Sequence, residues 1–140
     1  MSNDLKAKIQ SVLKDPQLGV LATIKDDAPW CRYVFIQTSE DLTIRCATFK
    51  NARKVNQIEA NDEVHITAGI TSLTDIKPYL QIQAKATLTT DQAEKDDFWN
   101  PGLEEIFEDQ NDPNFAVLIM KPYKIEYCSQ DKHVPEVLTL

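Results

Sequence analysis

The sequence predicts a mainly β protein: a six-stranded antiparallel β-barrel with short flanking helices. Two observations support this class. Six short runs of apolar and β-branched residues are joined mostly by tight turns, which favours an antiparallel barrel over a βαβ fold. Residues 79–90 alternate apolar and polar side chains, as expected for an antiparallel strand with one polar face. A length of 140 residues with 42% hydrophobic content predicts one domain over residues 1–140.

The first elements are a short helix and a three-stranded meander. Apolar residues recur at helical spacing between Leu5 and Leu13, and Pro16 ends this helix because the residue before a proline avoids helical angles. Aromatic and β-branched residues separated by turn residues then predict strands at 19–24, 29–38 and 42–48.

The second half of the chain begins with a second helix. Helical spacing returns at residues 51–60, where Asn51 is the expected N-cap. Two further strands are predicted at 62–69 and 79–90. The later elements are predicted as two short acidic helices within 91–112 broken at Asn100-Pro101-Gly102, a strand at 115–127 interrupted by Pro122, and a tail at 131–140.

The charge of the chain is unevenly distributed. The formal net charge is -7, which argues against general nucleic-acid binding because that function needs a basic face. Residues 91–112 hold nine acids and one base, for a net charge of -8. Residues 28–55 hold five bases and two acids, for a net charge of +3. This basic stretch is able to bind an anion locally.

Several kinds of site are excluded or disfavoured by composition. Three glycines in the whole chain leave no room for a glycine-rich phosphate loop. The two histidines, His65 and His133, have no metal-ligand spacing around them, so we expect no metal site and no histidine-dependent catalytic triad. The three cysteines form no Cys-x-x-Cys pair. With no apolar run of membrane-spanning length and no signal peptide, a cytoplasmic protein with reduced thiols is expected.

The clearest candidate site is the junction between the third strand and the second helix. The stretch from Thr48 to Lys54 carries three bases and leads into a helix N-terminus, whose free N–H groups attract anions. Bases are unfavourable there because the helix dipole repels each by about 0.3–1 kcal/mol. A bound anion would resolve this conflict, whereas a solvated first turn of a surface helix is the simpler alternative.

An ordered set of short motifs resembles the signature of the pyridoxamine 5'-phosphate oxidase-like FMN-binding split barrels. The motifs are Arg32-Tyr33-Val34-Phe35, Ala47-Thr48 and Arg53-Lys54-Val55. The segments Phe98-Trp99-Asn100-Pro101 and Asn111-Asp112-Pro113-Asn114, with Tyr127, resemble the general stress protein branch of that family. The resemblance extends from about residue 17 to residue 128.

The resemblance implies a homodimer that binds FMN at its interface and exchanges electrons with a small-molecule donor and acceptor. Basic side chains would hold the phosphate together with a threonine, and the backbone of two strands would face the isoalloxazine ring. Trp99 would either form a flat wall beside the flavin or anchor the core between two helices. The cofactor-binding residues implied by position are Arg32, Tyr33, Val34, Ala47, Thr48, Lys50, Arg53, Lys54 and Trp99.

The sequence departs from the family pattern at three places, two in the implied cofactor site and one at the C-terminal end. Ala52 replaces the family's serine before Arg-Lys, and Lys50 or Asn51 is the candidate substitute for its phosphate contact. Ala84 occupies a position that is usually glycine. The C-terminal segment that binds pyridoxal phosphate in the true oxidases is absent from residues 128–140, so oxidation of pyridoxamine phosphate is not expected.

The leading interpretation is an FMN-dependent oxidoreductase of unknown substrate, in which no side chain is assigned a catalytic role. One alternative is a non-catalytic flavin-binding sensor, stress protein or carrier. Another keeps the barrel but binds haem or a deazaflavin, although haem ordinarily needs an axial side-chain ligand.

Overall fold

A closed antiparallel barrel is the centre of the fold. The computed structural model describes residues 2–140, which form seven strands, three α-helices and one 3₁₀ helix. In chain order these are α1 Ser2–Val12, β1 Gln17–Lys25, β2 Ala28–Thr38, β3 Ile44–Phe49, α2 Arg53–Ala60, β4 Glu63–Ala68, β5 Tyr79–Thr89, α3 Gln92–Phe98, the 3₁₀ helix Pro101–Glu105, β6 Phe115–Cys128 and β7 Glu136–Thr139.

The strand order β3-β2-β1-β4-β5-β6-β7 is closed by an additional pairing of β3 with β6. Residues 115–120 of β6 pair with β3 and complete a six-stranded barrel, while residues 124–127 pair with β7. All of these pairings are antiparallel. The mainly β prediction and the six-stranded barrel are therefore confirmed, with one extra strand attached to β6.

Two apolar clusters stabilise this arrangement. The first fills the barrel and includes alternate residues of β5, such as Leu80 and Ile82, as the alternation predicted. The second lies outside the barrel on β3 and β6, where the acidic segment covers it. We call it the aromatic cluster; its buried members are Phe98, Phe107, Phe115 and Val117.

The predicted tail at 131–140 is wrong in part. Glu136–Thr139 forms β7, which pairs with β6 between Lys124 and Tyr127. Leu138 is only 9% exposed and joins the barrel cluster, so burial of one leucine helps to hold this strand in place.

Two other expectations need correction. Pro122 does not interrupt β6: the strand continues through it, and the register with β5 shifts between Gln83 and Ala84. Such an irregularity accommodates a proline, which has no N–H to donate. The second acidic helix is only the short 3₁₀ helix that Pro101 opens, after which residues 106–114 form turns. Within residues 2–140, no helix is long and apolar enough to cross a bilayer.

Candidate functional site

Three of the four implied basic residues, Arg32, Arg53 and Lys54, come from two elements, β2 and α2, that are both adjacent to β1. Arg32 lies on β2, which pairs with β1 through Leu21. Arg53 and Lys54 are the first two residues of α2, the helix that follows β3. We call these three side chains the basic cluster. It is assembled because α2 contacts β1, and β1 lies beside β2 in the sheet.

The guanidinium of Arg32 is held by the protein itself. Its Nη1 atom donates to the carbonyl oxygens of Leu21 and Trp30 at 3.1 and 2.9 Å, and to Thr23 Oγ1 at 2.8 Å. Its Nη2 atom donates to Gln57 Oε1 at 3.2 Å. These bonds occupy both N–H groups of Nη1 and one N–H group of Nη2. Within residues 2–140 the N–H group of Nε has no acceptor. The Arg32 side chain is therefore held in one orientation, and its remaining N–H groups are free to donate to a ligand.

The basic cluster has no acidic partner in the part of the chain that the structure describes: none of its three side chains forms a salt bridge there. Burial lowers the pKa of Arg32, and the charge of Arg53 lowers it further. Burial also lowers the pKa of Lys54, with Arg32 acting in the same direction. The cations therefore repel one another in a partly desolvated setting, which a bound anion would relieve.

The N-terminus of α2 adds backbone donors. The expectation that Asn51 caps this helix is wrong: Ala52 is the N-cap residue, and within residues 2–140 no side chain caps this end. Val55 N–H donates to the Ala52 carbonyl at 3.0 Å, whereas the N–H groups of Arg53 and Lys54 have no acceptor within residues 2–140. An anion beside Arg53 and Lys54 would accept from these groups and meet the positive end of the helix dipole.

The other implied cofactor residues are spread over β2, β3 and the turn after it. Thr48 is buried, with its Oγ1 atom 3.4 Å from the carbonyl oxygen of Phe49. Lys50 is exposed and donates its backbone N–H to the Asn114 carbonyl at 2.8 Å. Tyr33 is 78% exposed on the outer face of β2, whereas Val34 is buried in the barrel.

Ala47 and Trp99 meet at the aromatic cluster, not in the barrel. Both pack against its buried members, and the ring of Trp99 makes an edge contact with Phe115 at a centroid distance of 5.6 Å. Lys95, which is 5% exposed, donates to the Asp112 carbonyl at 3.2 Å and lies over the Phe115 ring. Trp99 is therefore a packing anchor, and its interpretation as a wall beside the flavin remains a prediction.

Two functional candidates were missed by sequence reasoning, Thr23 and Gln57. Thr23 is fully buried in β1, and its hydroxyl contacts both Arg32 and Gln57. Gln57 follows Arg53 by four residues, so helical spacing places both on one face of α2. That spacing, and a polar residue inside the apolar strand 19–24, were the available signals.

A groove of about 510 Å³ adjoins the basic cluster. The turn between β1 and β2, Arg53 and Gln57 of α2, and Trp30 of β2 all line this groove. A second groove, of about 490 Å³, lies on the outer face near Leu18 and Tyr33. Both are open depressions on the protein surface.

The residues that the structure describes contain no cluster of metal-binding side chains. Within residues 2–140, no group of three or more His, Cys, Asp or Glu side chains is placed to hold a metal ion. Burial lowers the pKa of His65, although Glu126 and Glu63 act in the opposite direction. Burial raises the pKa of Cys46 to about 11, so this thiol is in its neutral form near pH 7.

The fold is a closed antiparallel barrel, and the three side chains of the basic cluster form no salt bridge within residues 2–140. Residues 5–129 match the family model described as pyridoxamine 5'-phosphate oxidase. The chain belongs to this family, whose members generally bind flavins or related cofactors.

Two relatives match the chain over nearly its full length. General stress protein 26 of Bacillus subtilis (strain 168) is 31% identical over 137 residues, which cover 98% of this chain and 97% of the relative. The crystal structure of general stress protein 26 from Bacillus anthracis str. Sterne superposes with a TM-score of 0.84 at 29% identity, covering 97% of this chain and 98% of the other. These similarities confirm the resemblance to the general stress protein branch.

Two more distant structures share the fold alone. A heme binding protein from Mycobacterium smegmatis has a TM-score of 0.76 at 10% identity, over 96% of this chain and 57% of the other. A structure described as F420 Reductase has a TM-score of 0.66 at 18% identity, and the match covers 83% of this chain and 94% of the other. These two similarities concern the fold, so the cofactor of this chain has to be argued from its own residues.

Proposed function

We propose that this protein binds FMN and acts as an oxidoreductase on a small-molecule substrate. The observation that carries the proposal is the basic cluster of Arg32, Arg53 and Lys54, which lies at an uncapped helix N-terminus without an acidic partner in residues 2–140. An FMN phosphate is an anion of suitable charge for three cations and free backbone N–H groups.

The donor set fits a flavin phosphate better than it fits haem. Arg32 would contribute its spare N–H donors, and Lys54 would contribute a partly desolvated ammonium group. Haem would need an axial ligand, and neither histidine has an observation in the structure that supports this role. A deazaflavin with a phosphate would use the same cations, so the cofactor's absorption spectrum separates these cases.

Bound FMN would supply hydride or electron transfer through its isoalloxazine ring. The protein would bind the phosphate through the basic cluster, and Thr48, Lys50 and Ala47 would lie at the adjoining strand end. We assign no general acid or base, since hydride transfer to a flavin does not require one. Oxidation of pyridoxamine phosphate is not part of the proposal.

A homodimer is the second part of the proposal. Tyr33, Phe35 and Leu18 expose large apolar side chains on the outer face of β1 and β2. Contiguous exposed apolar surface of this kind marks interaction sites. We propose that a second copy covers this face, with FMN at the resulting interface and Tyr33 and Val34 contributing backbone beside the ring.

Titration with FMN tests the proposed phosphate site. Arg32→Ala and Lys54→Ala should each weaken FMN binding by about 2–5 kcal/mol, measured by quenching of flavin fluorescence, because each removes a partly buried charge partner. Lys121→Ala is the matched control, since Lys121 is an exposed lysine on β6 and is not a member of the basic cluster. If both site variants bind FMN as tightly as the wild type, the basic cluster is not the phosphate site.

A separate experiment tests the oxidoreductase part. The FMN-loaded protein should be reduced by NADH or NADPH and then reoxidised by an added acceptor, followed through the flavin absorption. If FMN binds but neither step exceeds the rate of free FMN, the protein is a flavin-binding carrier or sensor and not an enzyme.

A further inference from the structure

A partly buried polar network connects the barrel to α2 and includes Arg32 of the basic cluster. Its members are Thr23 on β1, Arg32 on β2 and Gln57 on α2. Thr23 Oγ1 donates to Gln57 Oε1 at 2.5 Å, and Arg32 Nη2 donates to the same oxygen at 3.2 Å. Arg32 Nη1 donates to Thr23 Oγ1 at 2.8 Å and completes a triangle.

These contacts determine how the Gln57 amide is turned. Its Oε1 atom accepts two hydrogen bonds, one of them from a charged group, so the carbonyl end must point at Thr23 and Arg32. Its Nε2 atom has no acceptor in the described residues, and the side chain lines the 510 Å³ groove together with Arg53. The glutamine is thus held in one orientation by its oxygen alone.

Gln57 also joins the two elements on which the basic cluster depends. Arg32 comes from β2, whereas Arg53 and Lys54 come from α2. Of the acceptors that bind the Arg32 guanidinium, only Gln57 lies on the helix; Leu21, Thr23 and Trp30 lie on the sheet. Loss of Gln57 Oε1 would release Nη2 and uncouple the guanidinium from α2.

We propose that Gln57 is a positioning residue that orients Arg32 for the phosphate of the bound flavin. This inference rests on the proposed FMN function. Gln57 acts through Arg32, so its removal changes recognition of the phosphate and leaves recognition of the ring unchanged. FMN and riboflavin differ only by the phosphate, so the ratio of their dissociation constants isolates this effect.

The test compares both flavins in full-length Gln57→Met and Gln57→Glu proteins by isothermal titration calorimetry. Gln57→Met removes the acceptor at similar side-chain length, and should weaken FMN binding about tenfold, as expected for one hydrogen bond to a charged group. Riboflavin binding should be unchanged. Glu59→Met on the exposed side of the same helix is the control for a methionine in α2.

Gln57→Glu keeps the acceptor and the fold but adds a negative charge beside Arg32. It should also weaken FMN binding at least about tenfold while sparing riboflavin, because the carboxylate competes with the phosphate for the guanidinium. A ratio equal to that of the wild type in both variants, or an equal loss for both flavins, overturns the inference. Wild-type protein that binds neither flavin overturns the proposed function, and the inference with it.

Discussion

The guanidinium of Arg32 on β2 donates a hydrogen bond from Nη2 to Oε1 of Gln57 on α2, at 3.2 Å. This contact links the sheet to the helix whose first turn carries Arg53 and Lys54. The three cations are consequently placed near one another although the chain supplies them from separate elements. Their mutual repulsion is a cost to the fold, and it is explained if the site exists to bind an anion.

Lys54→Met should have opposite effects on stability and on binding. Burial and Arg32 lower the pKa of Lys54, which means that its charged form is disfavoured in the fold. Methionine keeps the apolar stem without the charge, so the unfolding midpoint of the flavin-free protein should rise by about 1–3 °C. Added FMN should stabilise the wild type more than the variant. Thermal unfolding with and without FMN measures both effects.

Lys121→Met is the control for this prediction, because Lys121 is exposed on β6. It should alter neither the unfolding midpoint nor the FMN effect. If Lys54→Met instead destabilises the flavin-free protein, the ammonium group has a structural partner and is not available for an anion.

Asp41 should give the protein an acid-sensitive turn between β2 and β3. Its Oδ1 atom accepts from Ser39 Oγ and from the Thr43 N–H, and these bonds lower the pKa of Asp41 to about 2. Because the pKa of Asp41 is lower in the folded protein than its ordinary value of 3.8, the ionised carboxylate stabilises the fold at pH values above 3.8. This contribution is lost as the pH falls from 3.8 towards about 2.

Asp41→Asn should therefore lower the free energy of unfolding near neutral pH by less than about 1 kcal/mol, since solvent screens an exposed carboxylate. The difference between variant and wild type should vanish near pH 2, the folded pKa. Urea unfolding across this pH range measures it, and a difference independent of pH would show that the charge of Asp41 is not involved.

Leu138→Ala should test whether β7 belongs to the folded barrel. Leu138 is buried in the barrel cluster, so truncation should cost about 2–3 kcal/mol of unfolding free energy. Val137→Ala is the matched control on the same strand, because Val137 is 48% exposed and its truncation should cost less than about 0.5 kcal/mol. Equal, small costs for both substitutions would mean that β7 contributes little to the fold.

Trp99→Leu should weaken the packing of the acidic segment against β6. It removes the edge contact with Phe115, which is expected to cost about 1–2 kcal/mol. Urea unfolding measures this cost, and an unchanged midpoint would contradict the role of Trp99 as an anchor. The FMN affinity of the same variant tests whether Trp99 also forms a wall beside the flavin. If it does, Trp99→Leu weakens FMN binding more than the control Lys121→Ala does.

Much of the fold could be predicted because the barrel strands alternate. Residues 79–90 are the clearest case, since every second side chain of β5 enters the core. The strand Glu136–Thr139 was missed because four residues after a proline carry almost no periodic signal, and pairing with β6 decides their conformation. The prediction that Asn51 caps α2 was wrong because the helix begins at Arg53, which makes Ala52 the N-cap residue, and sequence patterns locate helix ends only to within one or two residues.

The site was only partly predictable from sequence. Arg53 and Lys54 were recognisable from their place at a helix start, and Arg32 from its family motif. Thr23 and Gln57 were not, because their importance lies in hydrogen bonds between elements 34 residues apart in the chain. Local patterns do not specify such contacts.

The most direct test of the central claim is the absorption spectrum of the purified protein, combined with FMN titration. A flavin-binding protein should be yellow as purified or should bind added FMN saturably, with quenched flavin fluorescence and tighter binding than riboflavin. A colourless protein that leaves the fluorescence of added FMN unchanged would contradict the assignment of the basic cluster as a flavin phosphate site.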